Sequence, residues 1–178
     1  AIQEKASKLQ EYLVKTRRHL HENPESSLKE FETAAFIQKE LTSFGVPFEK
    51  VGETGTLAII KGGKGDGRTV LLRADIDALE LPDCTGKPYA SKRPGLNHAC
   101  GHDAHTAMGL GTAKLLNDIK DTFSGTVKIA FQPAEEIGAG AKQFVASGRI
   151  DDIDESFAIH VNSSLPVGTF AVQGGPVN

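Results

Sequence analysis

Thr69-Val70-Leu71-Leu72-Arg73-Ala74-Asp75-Ile76-Asp77 is a mainly apolar run that closes on two carboxylates. Its core, residues 70–73, is continuous enough to predict a buried strand. Working outward, residues 56–60 predict another strand. The Gly-rich stretch between them, 62–67, holds Lys64 and Asp66 and reads as a hairpin turn. Gly125 precedes a third strand at 126–131, and shorter strands are expected at 157–160 and 168–172. Apolar residues at helical spacing predict helices over 4–21, 28–44, 104–117 and 139–147. Asn23-Pro24 stops the first, Gly45 caps the second, Asp103 caps the start of the third, and Gly148 ends the fourth. Residues 82–97, rich in Pro, Gly and Lys, read as a long loop. Strands alternating with helices predict an α/β fold, with a mixed sheet flanked by helices.

The chain has 178 residues, which is about one domain at roughly 150 residues each. Hydrophobic residues make up 39%, enough for a real core. Twenty Lys and Arg against 23 Asp and Glu give a net charge of -3, which argues against a nucleic-acid partner and against an acidic disordered tail. No apolar run approaches the roughly 18 residues of a membrane helix. The first residues, Ala1-Ile2-Gln3-Glu4-Lys5, hold no apolar signal region. Two cysteines, Cys84 and Cys100, are too few for a disulfide scaffold. A cytoplasmic location is therefore the default expectation. The chain opens without Met and ends at Gly174-Gly175-Pro176-Val177-Asn178, as expected of a processed or truncated polypeptide.

Open α/β sheets bind ligands beyond the carboxyl ends of their strands. Asp75 and Asp77 stand there after the first strand, Glu135 and Glu136 after the third, and His160 at the end of the strand at 157. Before the third helix comes His98-Ala99-Cys100-Gly101-His102-Asp103-Ala104-His105, with three of the six histidines and one of the two cysteines. Thiolate and imidazole are metal ligands, and Gly101 lets the backbone turn so that Cys100 and His102 can face one ion. In extended chain Glu135 and Glu136 point to opposite sides, one toward a metal and one toward a substrate water. Asp75 and Asp77 lean to one side, where either can ligate or orient a ligating histidine.

Each segment also has an ordinary alternative. These are a polar loop with an inert cysteine at 98–105, a solvated pair at 135–136, a strand-end turn at 75–77, and a core histidine at His160. His19 and His21 read as cations complementing a helix C-terminus, and Cys84 carries no assigned role.

Taken together, the segments resemble one family. Arg17-Arg18-x-Leu20-His21-x-x-Pro24-Glu25, Arg73-Ala74-Asp75-Ile76-Asp77-Ala78-Leu79, His98-Ala99-Cys100-Gly101-His102-Asp103, Pro133-Ala134-Glu135-Glu136 and Leu165-Pro166-Val167-Gly168 occur in order. The pattern resembles the amidohydrolase branch of the M20 metallopeptidases, which includes hippurate hydrolase, aminoacylase-like enzymes and auxin-conjugate hydrolases. The resemblance implies a di-metal hydrolase acting on small N-acyl amino acids, with Mn, Zn, Co or Ni as its two divalent ions. By position, Cys100 would bridge the metals, and His102, Glu136 and His160 would be further ligands. Glu135 would be the general base and Asp77 an orienting aspartate. Asp75 falls where many relatives have a ligand histidine, and His105 would touch a ligand or the substrate. Asn97 stands where the family pattern has Met.

The resemblance also implies that residues 1–178 are the N-terminal portion of the catalytic domain. The lid or dimerisation domain and the returning C-terminal portion would be absent, and with them a last ligand histidine. A homodimer through the lid is expected of the longer form, and weak or no activity of this chain alone. The alternatives from other classes are a thiol hydrolase using Cys100 with His102 or His105, and a non-catalytic metal-binding or interaction module.

Overall fold

Leu71, Ala74, Ile129, Ala130 and Phe131 are all buried, as residues of strands covered on both faces should be. In the computed structural model, which describes residues 2–172, they lie in β3 (Thr69–Asp75) and β4 (Thr126–Gln132). With β1 (Phe48–Val51), β2 (Gly55–Lys61) and β5 (Glu155–Ala158) they form one sheet in the order β1-β2-β4-β3-β5. β3 runs parallel to β4 and β5, while β2 is antiparallel to β1 and β4. The sheet is mixed, as expected, although the hairpin lies elsewhere. The segment 62–67 does not join paired strands, because β4 inserts between β2 and β3. The segment bonds to the stretch before β4 instead, with Gly62 N–H on the Gly125 carbonyl and Gly125 N–H on Gly65. The true hairpin joins β1 to β2.

Helices cover both faces. On one face α3 (Phe31–Phe44) and α4 (His102–Asp118) insert Ile37, Leu41, Leu110 and Ala113 against Ala58, Ile60, Ala74, Ile129 and Phe131. On the other, Phe144 of α5 (Gly140–Ala146) packs on Leu57, Leu71 and Ala130. Burying each large side chain contributes about 1.5–3 kcal/mol. The expected helix at 4–21 is two helices, α1 (Ile2–Ser7) and α2 (Gln10–Glu22), broken where Leu9 N–H turns back to the Ala6 carbonyl. α3 begins at Phe31 rather than 28 because Leu28 is left-handed, with φ 65°. α4 begins at His102 with Gly101 at its N-cap, so Asp103 is inside the first turn and is not the cap.

Residues 168–172 form no strand. Thr169 N–H closes a turn on Pro166, and Phe170 and Val172 are exposed without a partner strand among the described residues. The closing stretch 174–178 lies outside the described residues. No helix among the described residues is long and apolar enough to cross a membrane.

Candidate metal centre

The parallel register sets Asp75 beside Gln132 and Arg73 beside Ala158, so three strands end at one level. Asp77, Glu135, Glu136 and His160 follow within a few residues, and the N-terminal turn of α4 faces them with Cys100, His102 and His105. All eight residues singled out from the sequence therefore gather at one edge of the sheet.

His102 is fully buried. Its Nδ1 donates to the Asp77 backbone carbonyl (2.9 Å) and lies 3.3 Å from Asp77 Oδ1. That places Nε2 opposite Asp75 Oδ2 at 3.5 Å, and opposite Glu135 Oε2 and Glu136 Oε1 at 3.8 Å each. His102 Nε2 and Glu136 Oε1 are buried without a hydrogen-bond partner. Acceptors converging in this way favour a positive charge among them, either a bound cation or a proton on His102. A second donor set adjoins the first. His160 Nδ1 donates to the Val161 carbonyl (2.7 Å), which turns Nε2 toward Cys100 Sγ at 3.5 Å. Ligand atoms of Cys100, His102 and His160 lie within 4.8 Å of one another, as do those of His102, Glu135 and Glu136. Sulfur, nitrogen and oxygen donors in one cluster suit a borderline-soft divalent ion.

Glu135 and Glu136 do not diverge as extended backbone would have them. They occupy a turn that follows Ala134 at φ 52°, and both carboxylates approach His102. Asp75 Oδ1 accepts from His105 Nδ1 (2.5 Å), while its buried Oδ2 is ion-paired with Arg73 Nη1 (2.7 Å) but receives no hydrogen bond. His105 Nε2 accepts the Val161 N–H at 2.9 Å. Asp75 and His105 also lie within metal-binding distance of His102, but these contacts leave His105 no free ring nitrogen.

Electrostatics agree with this division. Burial alone would raise Asp77, but hydrogen bonds from His102, Ser27 and the backbone N–H groups of Glu136 and Glu135 bring it down to about 2. Burial and the carboxylates of Glu136, Glu135 and Asp75 push the Cys100 thiol up to about 11. Such a thiol keeps its proton at neutral pH, the reverse of what a Cys–His nucleophile needs. A bound cation would favour the thiolate. For His102, burial is outweighed by the Asp77 hydrogen bond and the surrounding carboxylates, so its pKa lies above the ordinary value.

Supporting residues were not apparent from the sequence. Glu30, buried at 0% exposure, accepts N–H bonds from Ala134 (2.8 Å) and Leu28 (3.0 Å) and the Thr54 hydroxyl (2.9 Å), which holds the turn before Glu135. Gly140 is obligatory nearby, since a Cβ there would sit 1.6 Å from the Pro133 carbonyl. Glu25 takes the Thr33 N–H and hydroxyl, each at 2.7 Å. His21 is not a simple dipole partner. It is buried and bonded to Asp103 (2.7 Å) and Asp83 (3.2 Å), with Arg17 also on Asp103 (2.8 Å). Its pKa is raised, chiefly by the Asp103 bond.

Fold and cluster together define an α/β protein with a candidate divalent-metal centre at the carboxyl end of its parallel strands. Residues 71–175 match peptidase family M20/M25/M40, and the chain belongs to that family. It is 46% identical over 172 residues to N-acetyl-L-cysteine deacetylase of Bacillus subtilis, covering 96% of this chain and 41% of that protein. It is 42% identical to IAA-amino acid hydrolase ILR1-like 4 of Arabidopsis thaliana, covering 94% and 38% respectively. The Bacillus subtilis YXEP protein, described as a dinuclear metal binding peptidase from the M20 family, superposes with a TM-score of 0.91 at 44% identity, over 96% of this chain and 48% of that one. The chain thus spans less than half the length of these relatives.

Proposed function

We propose that the chain is the N-terminal portion of the catalytic domain of a metal-dependent amidohydrolase that deacylates small N-acyl amino acids. The observation that carries this reading is the buried His102 Nε2 facing Glu135 and Glu136, beside the Cys100–His160 pair. Cys100, His102, Glu136 and His160 would hold two divalent ions drawn from Mn, Zn, Co and Ni. Those ions would lower the pKa of a water and polarise an amide carbonyl. Glu135, partly exposed where substrate approaches, takes the water proton and delivers it to the leaving amine. Asp77 fixes the His102 tautomer through Nδ1, which keeps Nε2 free for a ligand's role. The names of the deacetylase and IAA-amino acid hydrolase relatives support an acyl–amino acid substrate class. Because the relatives are more than twice as long, the 178-residue chain alone is expected to be weakly active or inactive, and the intact protein to dimerise through the lid domain.

The test is Glu135→Gln in the intact protein. Turnover of N-acetyl amino acids should fall by at least about 10²-fold, the usual worth of a positioned general base, while bound metal is unchanged. Near-normal turnover would refute the assignment.

A further inference from the structure

We propose that His105 is a positioning residue which, with Gly101, clamps Val161 and so holds His160 against Cys100; this rests on the ligand roles proposed above. His160 is exposed and lies beyond the last residue of β5, where no ladder hydrogen bond fixes it. Two contacts do. The Val161 N–H is captured by His105 Nε2 at 2.9 Å, and His105 is itself held by Asp75 Oδ1 at 2.5 Å. Val161 also packs on the backbone of Gly101, between Cys100 and His102, so closely that a Cβ on Gly101 would lie 2.3 Å from Val161 Cγ2. One residue thus meets the cysteine-bearing loop through its side chain and the first turn of α4 through its amide.

The hydrogen bonds settle the chemistry of His105. Nδ1 carries the proton given to Asp75, and Nε2 spends its lone pair on an amide. Asp75 is anchored independently by Arg73, which also bonds Gln132 (2.8 Å) and reaches toward Glu135 (4.0 Å). The buried carboxylate therefore serves the site through two arms, one to the strand end bearing His160 and one to the base.

The experiment loads the intact protein with Co(II), counts cobalt per chain, and follows the cobalt–thiolate absorption. Loss of a contact that orients a ligand costs about 10–100-fold in metal affinity, and His105→Ala should show that loss with a weakened thiolate band. His105→Gln presents one donor and one acceptor across an amide, and should restore most of it. Cobalt binding by His105→Ala as in the wild type overturns the clamp. A His105→Gln variant as impaired as His105→Ala also overturns it, since that marks a direct ligand. Should His105→Ala not fold, Val161→Pro deletes the donor from the other side and should weaken cobalt binding equally; unchanged binding refutes the proposal. His160→Ala separates this inference from the functional reading. If it leaves cobalt and the thiolate band intact, the ligand assignment itself fails. If it abolishes them while His105→Ala does not, only the clamp fails.

Discussion

Glu30 offers the sharpest test of how the fold presents Glu135 and Glu136. It receives Ala134 N–H, Leu28 N–H and the Thr54 hydroxyl, and is wholly buried. In Glu30→Ala the Ala134 and Thr54 donors are stranded inside the protein, at about 1–3 kcal/mol each. The expected loss is about 2–6 kcal/mol, measured by urea unfolding with linear extrapolation. Glu30→Gln keeps one oxygen for both N–H donors, and the Thr54 hydroxyl can rotate to accept from the amide, so its loss should be about 1 kcal/mol or less near neutral pH. The two variants also differ in pH dependence. Burial raises the Glu30 pKa above its ordinary 4.5, outweighing its hydrogen bonds. The folded state therefore binds this proton more tightly than the unfolded chain does. The stability it supplies is complete below the unfolded value and is lost as pH rises through the folded value. Glu30→Gln escapes that loss, so it should gain on the wild type as pH rises from 4 toward 8. A Glu30→Ala variant within about 1 kcal/mol of wild type, or a Gln variant as damaged as the Ala one, would refute the reasoning.

Three further outcomes are expected. Gly101→Ala places a Cβ at φ 88° and 2.3 Å from Val161; it should lose at least the roughly 1–2 kcal/mol of a left-handed L-residue, read as a lower Tm, and an unchanged Tm would show that the turn relaxes freely. His98 is buried with both ring nitrogens unpartnered, and burial lowers its pKa from 6.5 to about 4. Its neutral form therefore stabilises the fold above pH 6.5, and that contribution fades as pH falls toward 4; His98→Leu should flatten this part of the stability curve, and an unchanged slope argues against it. Chelation of the purified intact protein should lower Tm, and Zn or Mn at about 100 times Kd should return about 2.7 kcal/mol; no bound metal and no shift would count against the proposed centre.

The central strands were legible because β3 and β4 are apolar runs, and a parallel strand covered on both faces needs no alternation. Asp75, Asp77, Glu135 and Glu136 were legible because they follow such runs, and Cys100, His102 and His105 because they crowd into one short stretch before a helix. β1 was not, since four residues with Glu49 and Lys50 exposed resemble any loop. The misplaced hairpin has a similar cause. A Gly-rich turn between two strands signals that the chain bends there, but not that β4, some 60 residues later, fills the space between them. The roles of Glu25 and Glu30 were missed because a buried carboxylate that satisfies backbone N–H groups has the same letter as a solvated one, and His21 was read as a dipole partner because Asp83 and Asp103, which bind it, lie 62 and 82 residues further along the chain. The convergence of Glu135 and Glu136 was hidden in the φ of Ala134, which alanine does not advertise.

Parallel pairing of β3 with β5 aligns Leu71 with Ser156 and brings Cys100 within 3.5 Å of His160, which lies 60 residues further along the chain. On a ribosome adding about 5–20 residues per second, the thiol would be synthesised roughly 3–12 s before its partner. During that interval α4 and β4 can fold, yet the edge of β3 that receives β5 remains uncovered. Long-range parallel pairing is also the slowest kind of contact to close. The nascent chain thus carries an unpaired strand edge beside an unprotected cysteine for seconds, a window for a chaperone to shield or for an oxidant to exploit.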